Sequence, residues 1–282
     1  MINKKNYKKL LKYYSFDFDD NLLFTETKIH LEKYNNGHWF PISLSTAEFR
    51  TARHDDRYRV YEDYIISFGD FFDEGERGEQ AFIEDIIDSV KGKRFGPSWK
   101  AFIKCITNGN IFSIITSRGH KSRTIKNGIK YIIDNVLSEK QKQNMYANCL
   151  KFAYIFKGDG ADIYEKTYTG KLSHTKLINK YLDACEFFGV SSDEFIDRFG
   201  IIDRTKPEIS KAIAMKFFVE KIHKYSLKIN SRLKLGFSDD DIKNIEHMIN
   251  IFKNELSLKY AIEYRVYDTS NHNIPGGVKT YI

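Results

Sequence analysis

Three short apolar runs, each closing on polar residues, constrain this chain more than any other feature. Residues 12–17 carry Tyr13, Tyr14 and Phe16 into Asp17. Residues 111–116 read Ile-Phe-Ser-Ile-Ile-Thr, and residues 233–237 carry Leu233, Leu235 and Phe237 into Ser238-Asp239-Asp240-Asp241. Short apolar runs bounded by turn residues read as buried strands of a parallel sheet. Between them lie stretches of helical period, such as Phe82, Ile83, Ile86, Ile87 and Val90, or the run opened by Pro97. This alternation predicts an α/β fold, a Rossmann-like parallel sheet flanked by helices. Ligands of such sheets bind outside the carboxyl ends of the strands, so the three polar ends define one expected site.

The remaining segments sort around that core. Residues 27–45 alternate and turn at Asn35-Asn36-Gly37, which predicts a hairpin. Ser45 or Thr46 can cap a short helix through residue 53. Residues 55–78 are charged, aromatic and Gly-containing, and read as an irregular connector. Residues 121–136 predict a helix, and residues 137–203 a mostly helical region interrupted at 156–160. Within it Ser173 caps a helix reaching residue 188. Pro207 opens another helix. A helix after Asp241, a last strand near 261–266 and a loosely held polar tail from 268 complete the pattern.

Composition narrows the chemistry. The 282 residues are 41% hydrophobic, enough for one large domain or a core plus an inserted module. A net charge of +7 favours anionic partners, namely phosphorylated small molecules, nucleotides or nucleic acid. Cys105, Cys149 and Cys185 form neither a zinc pattern nor a disulfide framework, which predicts a reducing, cytoplasmic compartment of a cell or of an infected host. No run approaches a membrane span, so no membrane partner is expected. Nothing in the composition bears on oligomeric state.

Asp17 and Asp19 stand two apart at a strand end, where strand geometry projects both carboxylates to one face. Like charges that close repel unless a cation or proton lies between them. This suits a metal-assisted site in which one carboxylate is a nucleophile and the other handles protons. Thr116, Ser117 and the acids at 239–241 converge there. Carboxylates without Cys or His ligands suit Mg²⁺, and such a site suits phosphoryl transfer.

Four motifs in order resemble those of the haloacid dehalogenase (HAD) superfamily of hydrolases. They are Asp17-Phe18-Asp19, Ile114-Ile115-Thr116-Ser117-Arg118-Gly119, Lys206-Pro207 and Gly236-Phe237-Ser238-Asp239-Asp240. The resemblance covers the core and not the sequences between motifs. It implies a HAD-like core at 1–24, 97–120 and 204–282, with cap insertions at 25–96 and 121–203. It implies that Asp17 attacks phosphorus to form an aspartyl-phosphate and that Asp19 serves as acid, then base. Thr116 would bond a phosphoryl oxygen, with Ser117 and Arg118 nearby, and Lys206 would neutralise charge. Asp17, Asp19 through its backbone carbonyl, Asp239 and Asp240 would hold Mg²⁺. The family places Thr or Val where this chain has Asn21, a residue that can bond backbone in a turn.

The implied activity is a Mg²⁺-dependent phosphomonoester hydrolase acting on a small phosphorylated metabolite or a nucleotide. Rival readings are a binding or structural component of a larger assembly on the same fold, and a nucleic-acid-end phosphatase. Lys211, one turn beyond Lys206, is the alternative lysine. Asp241 reads as an early-helix acid. Arg118, His120 and Lys121 either read substrate or form an exposed basic loop.

Overall fold

The computed structural model describes residues 10–155, 173–201, 206–229 and 231–282. In chain order its elements begin with β1 (Leu10–Phe16), β2 (Ile29–Asn35), β3 (His38–Leu44), α1 (Thr46–Ala52) and β4 (Tyr58–Val60). They continue with α2 (Tyr64–Phe68), α3 (Glu79–Lys91), α4 (Trp99–Thr107), β5 (Phe112–Thr116), α5 (Ser122–Asn135) and α6 (Glu139–Ile155). Next come α7 (His174–Ala184), β6 (Glu186–Gly189), α8 (Asp193–Phe199), α9 (Pro207–Ile229) and β7 (Arg232–Asp239). The chain closes with α10 (Ile242–Ile251), α11 (Ser257–Lys259), β8 (Ile262–Asp268) and β9 (Val278–Tyr281).

Among the described residues six strands form one sheet, in the order β6-β5-β1-β7-β8-β9. Every neighbouring pair is parallel except β8 with β9. Every residue of β5 is buried, as its unbroken apolar run requires of a strand covered on both faces. Helices cover it: Ile125, Ile129, Ile132 and Ile133 of α5, and Met215, Phe218, Val219 and Ile222 of α9, are fully buried in the same core. The chain moves outward from β1 through β5 to β6, then returns to β7 on the other side of β1. The direction therefore switches beside β1, where open α/β sheets hold their ligands.

A second, smaller sheet has the order β3-β2-β4. With α1 and α2 it encloses its own apolar cluster of Ile29, Leu31, Leu44, Ala52, Phe68, Phe71 and Phe72. Ser45 caps α1 in a reciprocal capping box with Glu48.

Several segments differ from the sequence expectation. Part of the stretch 55–78 is regular, forming β4 and α2. The helix expected from Ser173 to residue 188 stops at Ala184, and Glu186–Gly189 instead extends the main sheet beside β5. The window 121–203 thus supplies a core strand and, in α5, a core helix. The window 25–96 likewise ends with core material, because Phe82 and Ile86 of α3 lie in the main core. The tail is held by β9, which pairs with β8. The interruption expected at 156–160 lies outside the described residues. Among the described residues no helix is long and apolar enough to cross a membrane. Cys105, Cys149 and Cys185 are free and buried.

Candidate active site

Asp17 follows the last residue of β1, and Asp239 ends β7, the neighbouring strand across the switch. The backbone N–H of Asp17 donates to the Ser238 carbonyl at 3.0 Å, which locks the two strand ends together. Asn21 reinforces the lock. Its buried Nδ2 donates to the Asp17 carbonyl at 2.8 Å and to Ser238 Oγ at 3.1 Å, and its Oδ1 accepts from Thr269 Oγ1 at 2.9 Å. Asn21 is therefore a structural tie between β1, β7 and the segment after β8.

Lys211, in the second turn of α9, joins the two acids. Its Nζ donates to Asp17 Oδ1 at 2.8 Å and to Asp239 Oδ2 at 2.7 Å, and its side chain is 1% exposed. Burial alone would lower the affinity of Lys211 for its proton, but the two carboxylates outweigh it and keep the ammonium charged. Lys206 precedes Pro207 and lines the same cavity. Of the two lysines weighed from sequence, Lys211 is the one bonded to Asp17.

Asp17, Asp239 and Asp240 each offer a carboxylate oxygen within 4.8 Å of the others, and all three are buried. Burial, together with the like charges of its neighbours, holds Asp17 above the usual carboxylate range even against Lys211. Burial, then Asp17 and Asp239, pushes Asp240 up as well. An all-carboxylate donor set under mutual repulsion fits a hard divalent cation such as Mg²⁺, with positions left for water and phosphate oxygens. Asp241 caps α10, accepting from Lys243 N at 2.9 Å.

The two carboxylates of the first motif diverge. The chain turns sharply after Phe18, with Asp20 at φ 55°. Asp19 is drawn away from Asp17 to Arg118, which donates from Nε to Oδ2 at 2.8 Å and from Nη2 to Oδ1 at 2.7 Å. Thr25 Oγ1 donates to Asp19 Oδ1 at 2.9 Å. Burial would raise Asp19, but Arg118 and then Thr25 win and hold it below the usual range. Nη2 of Arg118 also bonds Asp85 Oδ2 at 2.6 Å, and the guanidinium lies over the Phe71 ring at 4.7 Å.

Arg118 is therefore buried, which overturns the reading of it as an exposed loop residue, and it also borders the cavity beside Thr116 and Ser117. Its side chain is 1% exposed and is shared between the carboxylate of Asp19, which is 15% exposed, and that of buried Asp85. Sequence reasoning passes over Asp85. Its signal is a carboxylate between Phe82 and Ile86 on the buried face of α3. His120 is likewise buried, against Asp73 at 2.9 Å, whereas Lys121 is exposed and pairs with Glu74.

Thr116 ends β5 and is 1% exposed; its Oγ1 accepts from Arg118 N at 3.3 Å. Ser117 is exposed and lines the cavity with Thr116. Arg50, on α1 of the smaller sheet's module, closes the site from above. It pairs with the Asp240 carboxylate, and its Nη2 lies 3.2 Å from Asp20 Oδ2. Sequence reasoning placed α1 in the cap insertion 25–96 but singled out no residue of it, since nothing in residues 46–53 marks an arginine that reaches across to another sheet.

The cavity between module and core encloses about 580 Å³. Asp17, Asp19, Thr116, Ser117, Lys206, Lys211 and Asp240 all border it. Comparison of the chain with models of known families, with curated protein sequences and with solved structures returns no match.

Proposed function

We propose that the chain is a Mg²⁺-dependent phosphomonoester hydrolase of the HAD type, working through an aspartyl-phosphate on Asp17. The observation that carries this reading is the pairing of Asp17 with Lys211 beside Asp239 and Asp240, with Asp19 held separately by Arg118. A lone acidic pocket would not need two carboxylates oriented by two different buried cations.

In this reading an Asp17 carboxylate oxygen forms a bond to phosphorus while the bond to the ester oxygen breaks. Asp19 delivers a proton to that oxygen, then accepts one from the water that cleaves the aspartyl-phosphate, releasing inorganic phosphate. Arg118 and Thr25 aim Asp19, and their grip favours its ionised form, which suits the base half of its work. The Thr116 hydroxyl and the Ser117 backbone hold phosphoryl oxygens. Lys211 offsets charge that builds on Asp17 and on the phosphoryl group. Asp17, Asp239 and Asp240 would hold Mg²⁺, which when bound supplies further neutralisation of the phosphoryl oxygens.

The test is turnover of a generic aryl phosphate with Mg²⁺ by the parent and by Asp17→Asn. Loss of turnover in a folded Asp17→Asn chain is expected. Hydrolysis by that variant at the parent rate removes the nucleophile and the proposal with it.

A further inference from the structure

The cavity over Asp17 has two chemically opposed walls. Its floor is the carboxylate, lysine and hydroxyl cluster of the strand ends. Its roof, from the module of the smaller sheet, carries Arg50, Arg53 and His54 and, beside them, an apolar and aromatic patch: Phe49 of α1, Val60 of β4, and Tyr64 and Phe68 of α2. The rings form one cluster. Tyr64 stacks on Phe68 with centroids 4.3 Å apart, and Phe49 meets Phe68 edge to face at 5.5 Å. Phe68 is buried in the module's own core, but Phe49 and Tyr64 are only half-buried and Val60 is 42% exposed. Phe49 and Tyr64 pack against that core with part of their surface, and both line the cavity together with Val60.

The roof is held in register above the floor. Arg50 bridges α1 to Asp20 and Asp240, and Arg53 Nη2 pairs with Asp241 Oδ2 at 2.7 Å. A volume of about 580 Å³ is that of a pocket for a whole small organic ligand and exceeds what a phosphoryl group alone requires. A polyhydroxyl sugar phosphate would set hydroxyls against Phe49 and Val60, whose side chains offer them no hydrogen bond, which is unfavourable. A flat ring gains from the same surface, through stacking that tolerates different ring types.

Resting on the phosphatase reading, we infer that the ester group of the substrate carries a flat ring that stacks against Phe49 and Tyr64. The substrate class is a nucleoside monophosphate, free or at the end of a strand. The reaction remains hydrolysis: the P–O bond to the ribose oxygen breaks, water supplies the oxygen that completes inorganic phosphate, and the ribose oxygen leaves as a hydroxyl.

The experiment compares kcat/KM for adenosine monophosphate and ribose phosphate, which share the phosphoryl group and sugar and differ by the ring. Acetyl phosphate serves as a ring-free control for the chemistry. A preference for adenosine monophosphate of roughly tenfold or more is expected, with the same ratio in direct binding. Tyr64→Leu should shrink the preference several-fold, and Tyr64→Phe, which keeps the ring, should retain it. A dinucleotide with a terminal phosphate separates the two sources, and turnover of either ring-bearing substrate in preference to ribose phosphate supports the inference. Equal kcat/KM for adenosine monophosphate and ribose phosphate overturns it while leaving the phosphatase reading intact. Equal loss of preference in Tyr64→Phe and Tyr64→Leu also overturns it. If acetyl phosphate is not hydrolysed either, the phosphatase reading falls and takes the inference with it.

Discussion

Replacing Arg118 by Met keeps most of the volume of the side chain and removes its charge and its donors. The guanidinium donates twice to Asp19 and once to Asp85, with side-chain exposures of 1% for Arg118, 15% for Asp19 and 6% for Asp85. Removing one partner of a buried ion pair costs about 3–5 kcal/mol, because the other charge is left without compensation. Here two carboxylates lose one cation, but each keeps a hydroxyl donor: Thr25 for Asp19 and Thr27 for Asp85. The loss is therefore placed at about 3–4 kcal/mol, equivalent to a fall in thermal midpoint on the order of 10 °C for a chain this long. Urea unfolding of Arg118→Met, Asp85→Asn and the double variant measures it. The double variant should be destabilised by less than the sum of the singles, with a coupling of about 1 kcal/mol or more. An Arg118→Met chain within about 1 kcal/mol of the parent, or singles that simply add, would refute the buried-pair reasoning. Arg118 would then be the substrate-reading residue that its place in the sequence suggests, and its loss would raise KM instead.

Other expectations follow from the same geometry. Lys211→Met should lower kcat by about 10²–10³-fold, the usual loss on removing a single group that stabilises transition-state charge, and Lys206→Ala by under about tenfold; the reverse order would return the catalytic role to Lys206. Burial lowers His120 below its ordinary 6.5 despite the Asp73 bond, so the folded chain keeps the ring neutral while the unfolded chain takes up a proton. That contribution is fully present above pH 6.5 and is lost as pH falls, by up to about 1.4 kcal/mol per pH unit. Thermal midpoints should therefore decline from about pH 7 to about pH 5 in the parent and less in His120→Gln, and equal slopes would count against it. Gly128→Ala, in the middle of α5, should destabilise by about 1–3 kcal/mol despite the better helix propensity of Ala. The new methyl would lie 2.5 Å from Phe82 Cε1 and 2.6 Å from Ile86 Cδ1, both in the packed core, and a gain in thermal midpoint would show that α3 and α5 have room to part.

The parts of this fold that could be read from sequence are those whose residues speak for themselves. Phe112–Thr116 form a strand because an unbroken apolar run of that length suits burial on both faces. Asp17, Thr116 and Asp239 fall at strand ends because the apolar runs stop there. The strand Glu186–Gly189 was hidden because Phe187 and Phe188 continue the apolar stripe of the helix before them. Tyr58–Val60 is only three residues long and sits among charges, so its pairing with β2 shows only once β2 is in place. The choice between Lys206 and Lys211 turns on where α9 starts: Pro207 is its first residue, and the lysine in the next turn is the one that reaches the strand ends. The roles of Arg118 and Arg50 depend on partners 33 and 190 residues away, Asp85 and Asp240, and no local pattern carries that.

In the proposed reaction the Asp17 carboxylate supplies the oxygen that takes up the phosphoryl group. Acid quenching of the chain during turnover of acetyl phosphate with Mg²⁺, followed by peptide mass analysis, tests this most directly. A phosphoryl group on the peptide containing Asp17, removed by hydroxylamine and absent from Asp17→Asn, is the expected result. Steady release of phosphate with no protein-bound phosphoryl group, or with the group on another residue, would contradict it.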